Sequence, residues 1–453
     1  MFPPWDRKSL FVEVPFANDR PRSAPKRYYV AALGCLGIFM CTFLAGGPGI
    51  AIPEMTITYF GPPGRYFAQD IAKVAYFLTV MPLTQGVGEL FWMPLTVKYG
   101  RRPIYVASFA LYTVTSLWAG FSPSYSSELA ARIIMGCASG AAECLAPLTI
   151  TDVFFLHQRG TMMRSVYLPR PYVISWLKPL HSLYTASIAC GAASGIIISG
   201  FITEHHTWRY IFHLSTAIIG TLTLLFFFTM PETMYQRDNT VQPSTRPDVD
   251  GSDTSSQPTT YKDTTSHLET KELEHGATLI AKKHSYGQDL RLFHVTYTKE
   301  SFLRLFLRPI GLLLLPPILW AALVESATIG FYIAISSNFA VAFGEEYHFA
   351  TWKIGLTYLS SIIGAILAIA FGGFLSDAVA DFCTARNGGI REPEMRIPAI
   401  AISVITAPLG LVLYGVGIQN HLHWMVPTLG IGLCMSCLHY HPIVRGSSTE
   451  SDC

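Results

Sequence analysis

Along this chain the apolar residues do not alternate with polar ones but gather in long runs divided by short polar segments. The runs last about 17 to 25 residues, and a helix needs about 20 to cross roughly 30 Å of hydrocarbon. Runs at 28–52, 74–96, 103–121, 129–151, 184–202 and 210–230 predict six spanning helices, the last closed by Pro231-Glu232-Thr233. Four more are predicted at 309–340, 354–375, 398–418 and 424–440. Between the two groups, residues 236–298 turn to Ser, Thr, Asp, Lys, Gln and Pro, with too little apolar surface to fold, so a disordered linker is expected. Lys299 to Arg308 (KESFLRLFLR) mixes Phe and Leu with Lys and Arg and reads as an interfacial helix feeding the seventh span. The organisation expected is a tail at 1–27, a six-helix bundle at 28–235, the linker at 236–298, a four-helix group at 299–440 and a polar tail at 441–453.

Composition agrees: of 453 residues 50% are hydrophobic and 14% charged, whereas a soluble domain carries nearer a quarter charged. The fold class expected is all-α and polytopic. A net charge of +2 gives no reason to expect nucleic acid as a partner; the lipid bilayer is the partner the runs demand. Nine cysteines lie mostly inside apolar runs (Cys35, Cys41, Cys137, Cys144, Cys190, Cys434, Cys437), where free buried thiols are expected. The opening of about 28 polar, charged and proline-containing residues does not fit a cleaved signal peptide, so the first helix is expected to stay in the membrane. Lys and Arg set the orientation: Arg20, Arg22, Lys26, Arg27, then Lys98, Arg101, Arg102, then Arg159, Arg164, then Arg386, Arg391 and Arg396 all fall on one side. The other side holds sparse segments such as 122–127 and the acidic Gly344-Glu345-Glu346. The N-terminus and linker are therefore expected to be cytoplasmic, in a multi-pass protein of the plasma membrane.

Two hydrophobic groups joined by a linker suggest an internal repeat. The turn after the second run reads Met93-Pro94-Leu95-Thr96-Val97-Lys98-Tyr99-Gly100-Arg101-Arg102, and that after the eighth begins Gly373-Phe374-Leu375-Ser376-Asp377. Here the chain resembles the major facilitator superfamily, in which the loop after helix 2 carries glycine, a hydrophobic residue, aspartate, a basic residue and Gly-Arg-Arg/Lys. Lys98, Gly100, Arg101, Arg102, Gly373 and Asp377 fit that pattern and would form its conformational-switch loops, while Met93 and Val97 stand where the family has glycine and an acid. Arg132-Ile133-Ile134-Met135-Gly136-Cys137-Ala138-Ser139-Gly140 is similar to the family's second motif. Residues 191–200, with Gly191, Gly195 and Gly200, are similar to its antiporter motif without the Gly-Pro pair. With Trp208-Arg209-Tyr210, Pro231-Glu232-Thr233 and Arg391-Glu392-Pro393-Glu394-Met395-Arg396, the pattern looks like the fungal drug/proton antiporter branch. The resemblance implies major facilitator-type bundles of twelve spans, of which about ten are present, and proton-coupled transport of a small organic solute, with drug or metabolite efflux as the mode, by a monomer. It also makes the end after the tenth run read as a truncation, and 164–182 (RSVYLPRPYVISWLKPLH followed by Ser182) as an insertion; a truncated membrane protein that does not transport is the alternative.

Candidate chemistry follows from cost. A charge at the bilayer centre costs from about 3 to above roughly 10 kcal/mol, so carboxylates there face the protein interior. Glu89, Glu143 and Glu325 lie within apolar sequence and are candidate proton or substrate-cation sites, or else satisfied structural carboxylates. Arg132 shares a helix face with Glu143 eleven residues on, about 16 Å away by helical rise, so the two cannot pair directly; they line one cavity, or Arg132 anchors a helix end. Gly136 and Gly140 lie near that face, and Gly191, Gly195 and Ser199 recur every four positions as helix-packing residues. Gly46-Gly47-Pro48-Gly49 frees backbone for a hinge or a kink. Cys434, Cys437, His439 and His441 do not make a zinc site, since no folded turn pairs them. No nucleophile elbow, phosphate loop or dinucleotide fingerprint appears, so neither an enzyme nor a cofactor is expected.

Overall fold

A computed structural model describes residues 24–153, 183–233, 297–298, 300–388, 395, 398 and 401–448, without the side chains at 24, 151, 183, 373, 374, 376, 377, 401, 402 and 439–448. The tail up to 23, the expected insertion at 164–182, the linker to 296, and Arg159, Arg391 and Arg396 lie outside the described residues.

Helix is the only regular structure among the described residues, as backbone in hydrocarbon requires, since a helix satisfies its own N–H and C=O groups. Ten helices of 19 residues or more match the ten predicted runs: α1 (Ala24–Gly46), α3 (Phe67–Tyr99), α4 (Arg101–Gly120), α5 (Tyr125–Val153), α6 (Leu183–His205), α7 (Arg209–Thr229), α9 (Pro316–Tyr347), α11 (Leu359–Arg386), α12 (Ala401–Gln419) and α13 (Met425–Ser448). Between them come α2 (Ile52–Phe60), α8 (Phe302–Leu313) and α10 (Thr351–Thr357). The 33 residues of α3 rise about 50 Å, well past the hydrocarbon thickness. Run length reports only the apolar stretch, so α3 starts seven residues before 74 and α9 carries on through Gly344, Glu345 and Glu346.

Two interruptions matter for the site. The first run is continuous in hydropathy from Pro25 to Phe60, but its backbone breaks into a buried 3-10 turn at Gly47–Ala51, at the Gly-Pro-Gly sequence. The second break separates α10 from α11 at Tyr358, whose N–H donates at 3.1 Å to Gly355 O, and has no Pro. There the Tyr358 hydroxyl shares a 3.0 Å hydrogen bond with Ser336 Oγ, and its ring meets Phe339 edge-on. Tertiary contact holds this break.

Helices α1 and α3–α7 surround one core, with Ile38, Phe77, Met81, Tyr105, Tyr112 and Phe212 among its buried members. A second core gathers Phe339, Phe343, Tyr358, Tyr414 and Ile431 from α9–α13 with Ile50 and Ile196 from the first group. Helix α6 packs on α1 and, on its other side, on α10 and α11. Six segments combine length and apolarity enough to cross a membrane by composition alone among the described residues; α3 and α4 fall short because they carry buried polar residues such as Gln85, Thr96, Ser108 and Thr115.

Candidate functional site

The crossing of α3 and α5 brings two of the predicted carboxylates together. A β-carbon at Gly88 would fall 2.3 Å from Cys137 O, one at Gly136 2.1 Å from Thr84 Oγ1, and one at Gly140 2.3 Å from Gln85 O. Glycine at these positions lets the two backbones touch, and Trp92 Nε1 donates a 2.8 Å bond to Cys137 O across the seam. In this close crossing the half-buried Glu89 and Glu143 bring their carboxyl groups within hydrogen-bonding reach of each other. Ionised carboxylates are acceptors only, so such a bond exists when the pair holds a proton. The phenol of Tyr184 on α6 and the thiol of Cys144 lie within electrostatic reach of both acids. The arrangement sets two carboxyl groups, a phenol and a thiol between facing helices.

Arg132 does not join that pair. Its Nε donates at 2.9 Å to Glu128 Oε1, four residues earlier, and both side chains are fully buried. Ser122 Oγ donates at 2.8 Å to the other oxygen of Glu128 and shares a 2.9 Å bond with Tyr59. The guanidinium carbon sits 4.7 Å from the Phe212 ring centre. Glu54 completes this end: its Oε1 accepts from the Trp208 backbone N–H at 3.3 Å, while Trp208 Nε1 donates to Thr58.

At the opposite end of α3, the turn at Gly100 closes around an acid. Gly100 has φ +96°, a region that favours glycine, and a β-carbon there would come 2.6 Å from Glu232 Oε2. The Glu232 carboxylate accepts from the backbone N–H of Arg101 at 2.9 Å and of Arg102 at 3.2 Å, where the helix dipole of α4 favours negative charge. Arg101 Nε pairs with Asp152 at 2.9 Å, and Arg102 Nη2 donates to Phe227 O at 2.7 Å. Two acids thus serve this loop although Val97 stands at the position of the family's aspartate. The Tyr297 N–H donates to Lys98 O at 3.0 Å, and burial, with Glu232 adding to it, pushes the Tyr297 phenol up to about 12.

Among the other predicted residues, Gly191 and Gly195 lie against Phe39 O and Phe43 O of α1, and Gly200 faces Ile50 and Thr351. Glu325 is half-buried on α9, with its carboxyl within electrostatic reach of Cys437 on α13. Gly373 and Asp377 fall on α11, and their side chains lie outside the described residues, as do those of His439 and His441. The cysteines described are free, and no metal-holding cluster occurs among the described residues. Sequence reasoning missed Glu128, Asp152, Glu54 and Tyr184; of these only Glu128 left a local signal, an acid one helical turn before Arg132.

A profile described as Major Facilitator Superfamily matches residues 34–168 and 178–446, breaking off inside the stretch expected as an insertion. The chain is 25% identical over 350 residues to MFS transporter cpaT of Aspergillus oryzae, covering 77% of this chain and 60% of that one. It is 26% identical to Efflux pump radE of Floropilus chiversii, covering 80% and 59%. Across eight such curated relatives it spans 54–65% of their length. In fold it is similar to the xylose transporter XylE from E. coli in a partially occluded inward-open conformation, with a TM-score of 0.54 and 14% identity, over 94% of this chain and 88% of that one. Helices of membrane-spanning length, the glycine-packed seams and the profile match over most of its length agree: the chain is an integral, multi-pass membrane protein that belongs to the Major Facilitator Superfamily.

Proposed function

We propose that the chain is a proton-coupled secondary transporter of a small organic solute, acting in drug or metabolite efflux and not as an enzyme. The observation that carries this reading is the Glu89–Glu143 carboxyl pair, held between α3 and α5 inside apolar sequence. A proton shared there ties the charge of the pair to the state of the two helices that bear it, which is the requirement for coupling in alternating access. The name of the Aspergillus oryzae relative, an MFS transporter, supports transport, and that of the Floropilus chiversii relative, an efflux pump, supports the direction. In this reading residues 28–235 form one six-helix bundle and 299–440 the other group, Lys98, Gly100, Arg101 and Arg102 with Gly373 and Asp377 form the switch loops, Arg132 braces the site's far end, and Glu325 is the acid of the second group. The protein works as a monomer in the plasma membrane with its N-terminus and linker in the cytoplasm.

The test is flux of labelled drugs and metabolites in proteoliposomes bearing the full chain, under an imposed pH gradient. Glu89→Gln and Glu143→Gln are each expected to reduce gradient-driven flux by tenfold or more while leaving insertion and gradient-free exchange in place. Unchanged pH-driven flux in both variants overturns proton coupling through this pair. No flux by the native chain favours the rival, a membrane protein that does not transport.

A further inference from the structure

A group of hydroxyls between α9, α11 and α12 has no role in the chemistry above. Ser336 and Tyr358 satisfy each other. Around them, the Tyr332, Ser361 and Tyr414 hydroxyl oxygens are shut off from solvent, and none meets hydrogen-bond geometry with a partner among the described residues. Ser361 is 0% exposed and Tyr414 8%. The group is contiguous: the Tyr332 hydroxyl lies close enough to Ser336 and Ser361 for their side chains to act on it as loose hydrogen-bonding neighbours, short of good geometry, and Tyr358 lies within electrostatic reach of Tyr332, Tyr414 and Cys434. A buried hydroxyl without a partner is costly, so several in one place call for an explanation.

Position supplies one. Tyr358 and Tyr414 pack with Ile50, at the 3-10 turn, and Ile196 of α6, so the hydroxyls sit where the first group of helices meets the second. Tyr332 also packs against the buried group made by Ala189 of α6, Ala365 of α11 and Met435 of α13. Transporter substrates bind at such junctions, beside interrupted helices, and the 3-10 turn and the break at Tyr358 both border the cluster. None of its five members is an acid or a base. Glu325, two turns before Tyr332 on α9, stands off by about 10 Å of helical rise.

We infer that Tyr332, Ser361 and Tyr414 form the hydrogen-bonding wall of a solute site for an uncharged, oxygen-bearing compound with a flat apolar body, such as a polyhydroxylated aromatic. Ring faces take the body of such a solute and the three hydroxyls, none of them held in good hydrogen-bond geometry by the protein, take its oxygens, while a fixed charge on it finds no counter-charge among them. The inference rests on the transport reading and names its substrate class.

Binding to membranes bearing the full chain tests it, with three radiolabelled probes of one ring system: a neutral trihydroxyflavone, its trimethylammonium derivative and its carboxylate derivative. The neutral probe is expected to bind at least tenfold tighter than either charged one. The Tyr414→Phe/Ser361→Ala variant, which removes only hydroxyls, is expected to lose tenfold or more of that affinity with a thermal midpoint equal to or above the native one. Tighter binding of a charged probe, no saturable binding of the neutral one, unchanged affinity in the variant, or lost affinity with a lowered midpoint each overturns the inference. Flux under a pH gradient in the same preparations is judged separately: pH-driven flux of any solute keeps the transport reading when the hydroxyl assignment has failed.

Discussion

Gly86 and Gly88 stand two residues apart on α3 and meet opposite surroundings. A β-carbon at 86 would enter open space, whereas one at 88 would collide with the Cys137 carbonyl. Gly88→Ala is therefore expected to destabilise the chain by about 1–3 kcal/mol, the usual cost of overpacking, and to lower the thermal midpoint in detergent; Gly86→Ala is expected to leave it unchanged. Equal midpoints for the two would show that the seam yields. Arg132 and Glu128 give a second test, because a fully buried pair is costly to break from one side. Arg132→Gln is expected to cost about 3–5 kcal/mol, with part of the loss recovered in the Arg132→Gln/Glu128→Gln double variant, measured as a double-mutant cycle. Small-residue spacing was legible in the sequence because four-residue repeats map directly onto one helix face. Glu128 was equally close at hand, four residues from Arg132, but a search for acids deep in apolar runs passes over one near a helix start. The hydroxyl group around Tyr358 was not legible, since Tyr332, Ser361 and Tyr414 sit on three helices and only tertiary packing removes them from water.

At the scale of elements, the start of α4 depends on a side chain 131 residues away in sequence. Glu232→Ala removes the acceptor for the Arg101 and Arg102 amides and leaves a helix N-terminus uncapped, at an expected cost of about 1–2 kcal/mol. Glu232→Gln keeps an acceptor but not the charge and is expected to cost less; thermal midpoints of the two variants, ordered Ala below Gln below native, check this. The segment Pro231-Glu232-Thr233 was visible in the sequence as a helix end, yet nothing local told which amides its acid would reach. Helix existence was legible from run length and helix limits were not, for the polar ends of α3, α9 and α11 lie beyond the apolar signal. Likewise the Gly-Pro-Gly break announced itself by residue type, while the break at Tyr358 coincides with side-chain contacts to α9 that no local pattern announces.

At the scale of the whole molecule, the contact of α6 with α10 joins the two groups of helices. An ideal β-carbon at Gly355 comes within 3.4 Å of Ile197 Cα, close enough for a disulfide. In a chain whose native cysteines are replaced by serine or alanine, Ile197→Cys/Gly355→Cys is expected to lose tenfold or more of solute flux on oxidation and to regain it with a thiol reductant. Undiminished flux in a fully cross-linked sample would mean that this contact persists throughout the cycle.

The seam of α3 and α5 has a counterpart in α11 and α13, where a β-carbon at Gly364 would fall 2.2 Å from Gly432 O. Backbones that interlock so tightly cannot slide along one another, so each couple must answer a change in bilayer thickness as a unit. A thinner membrane is met by tilting the couple, with the looser outer helices adjusting around it, since mismatch costs only fractions of a kcal/mol per ångström. Lipid chain length thus becomes a means of biasing the angle between the two couples without touching any residue.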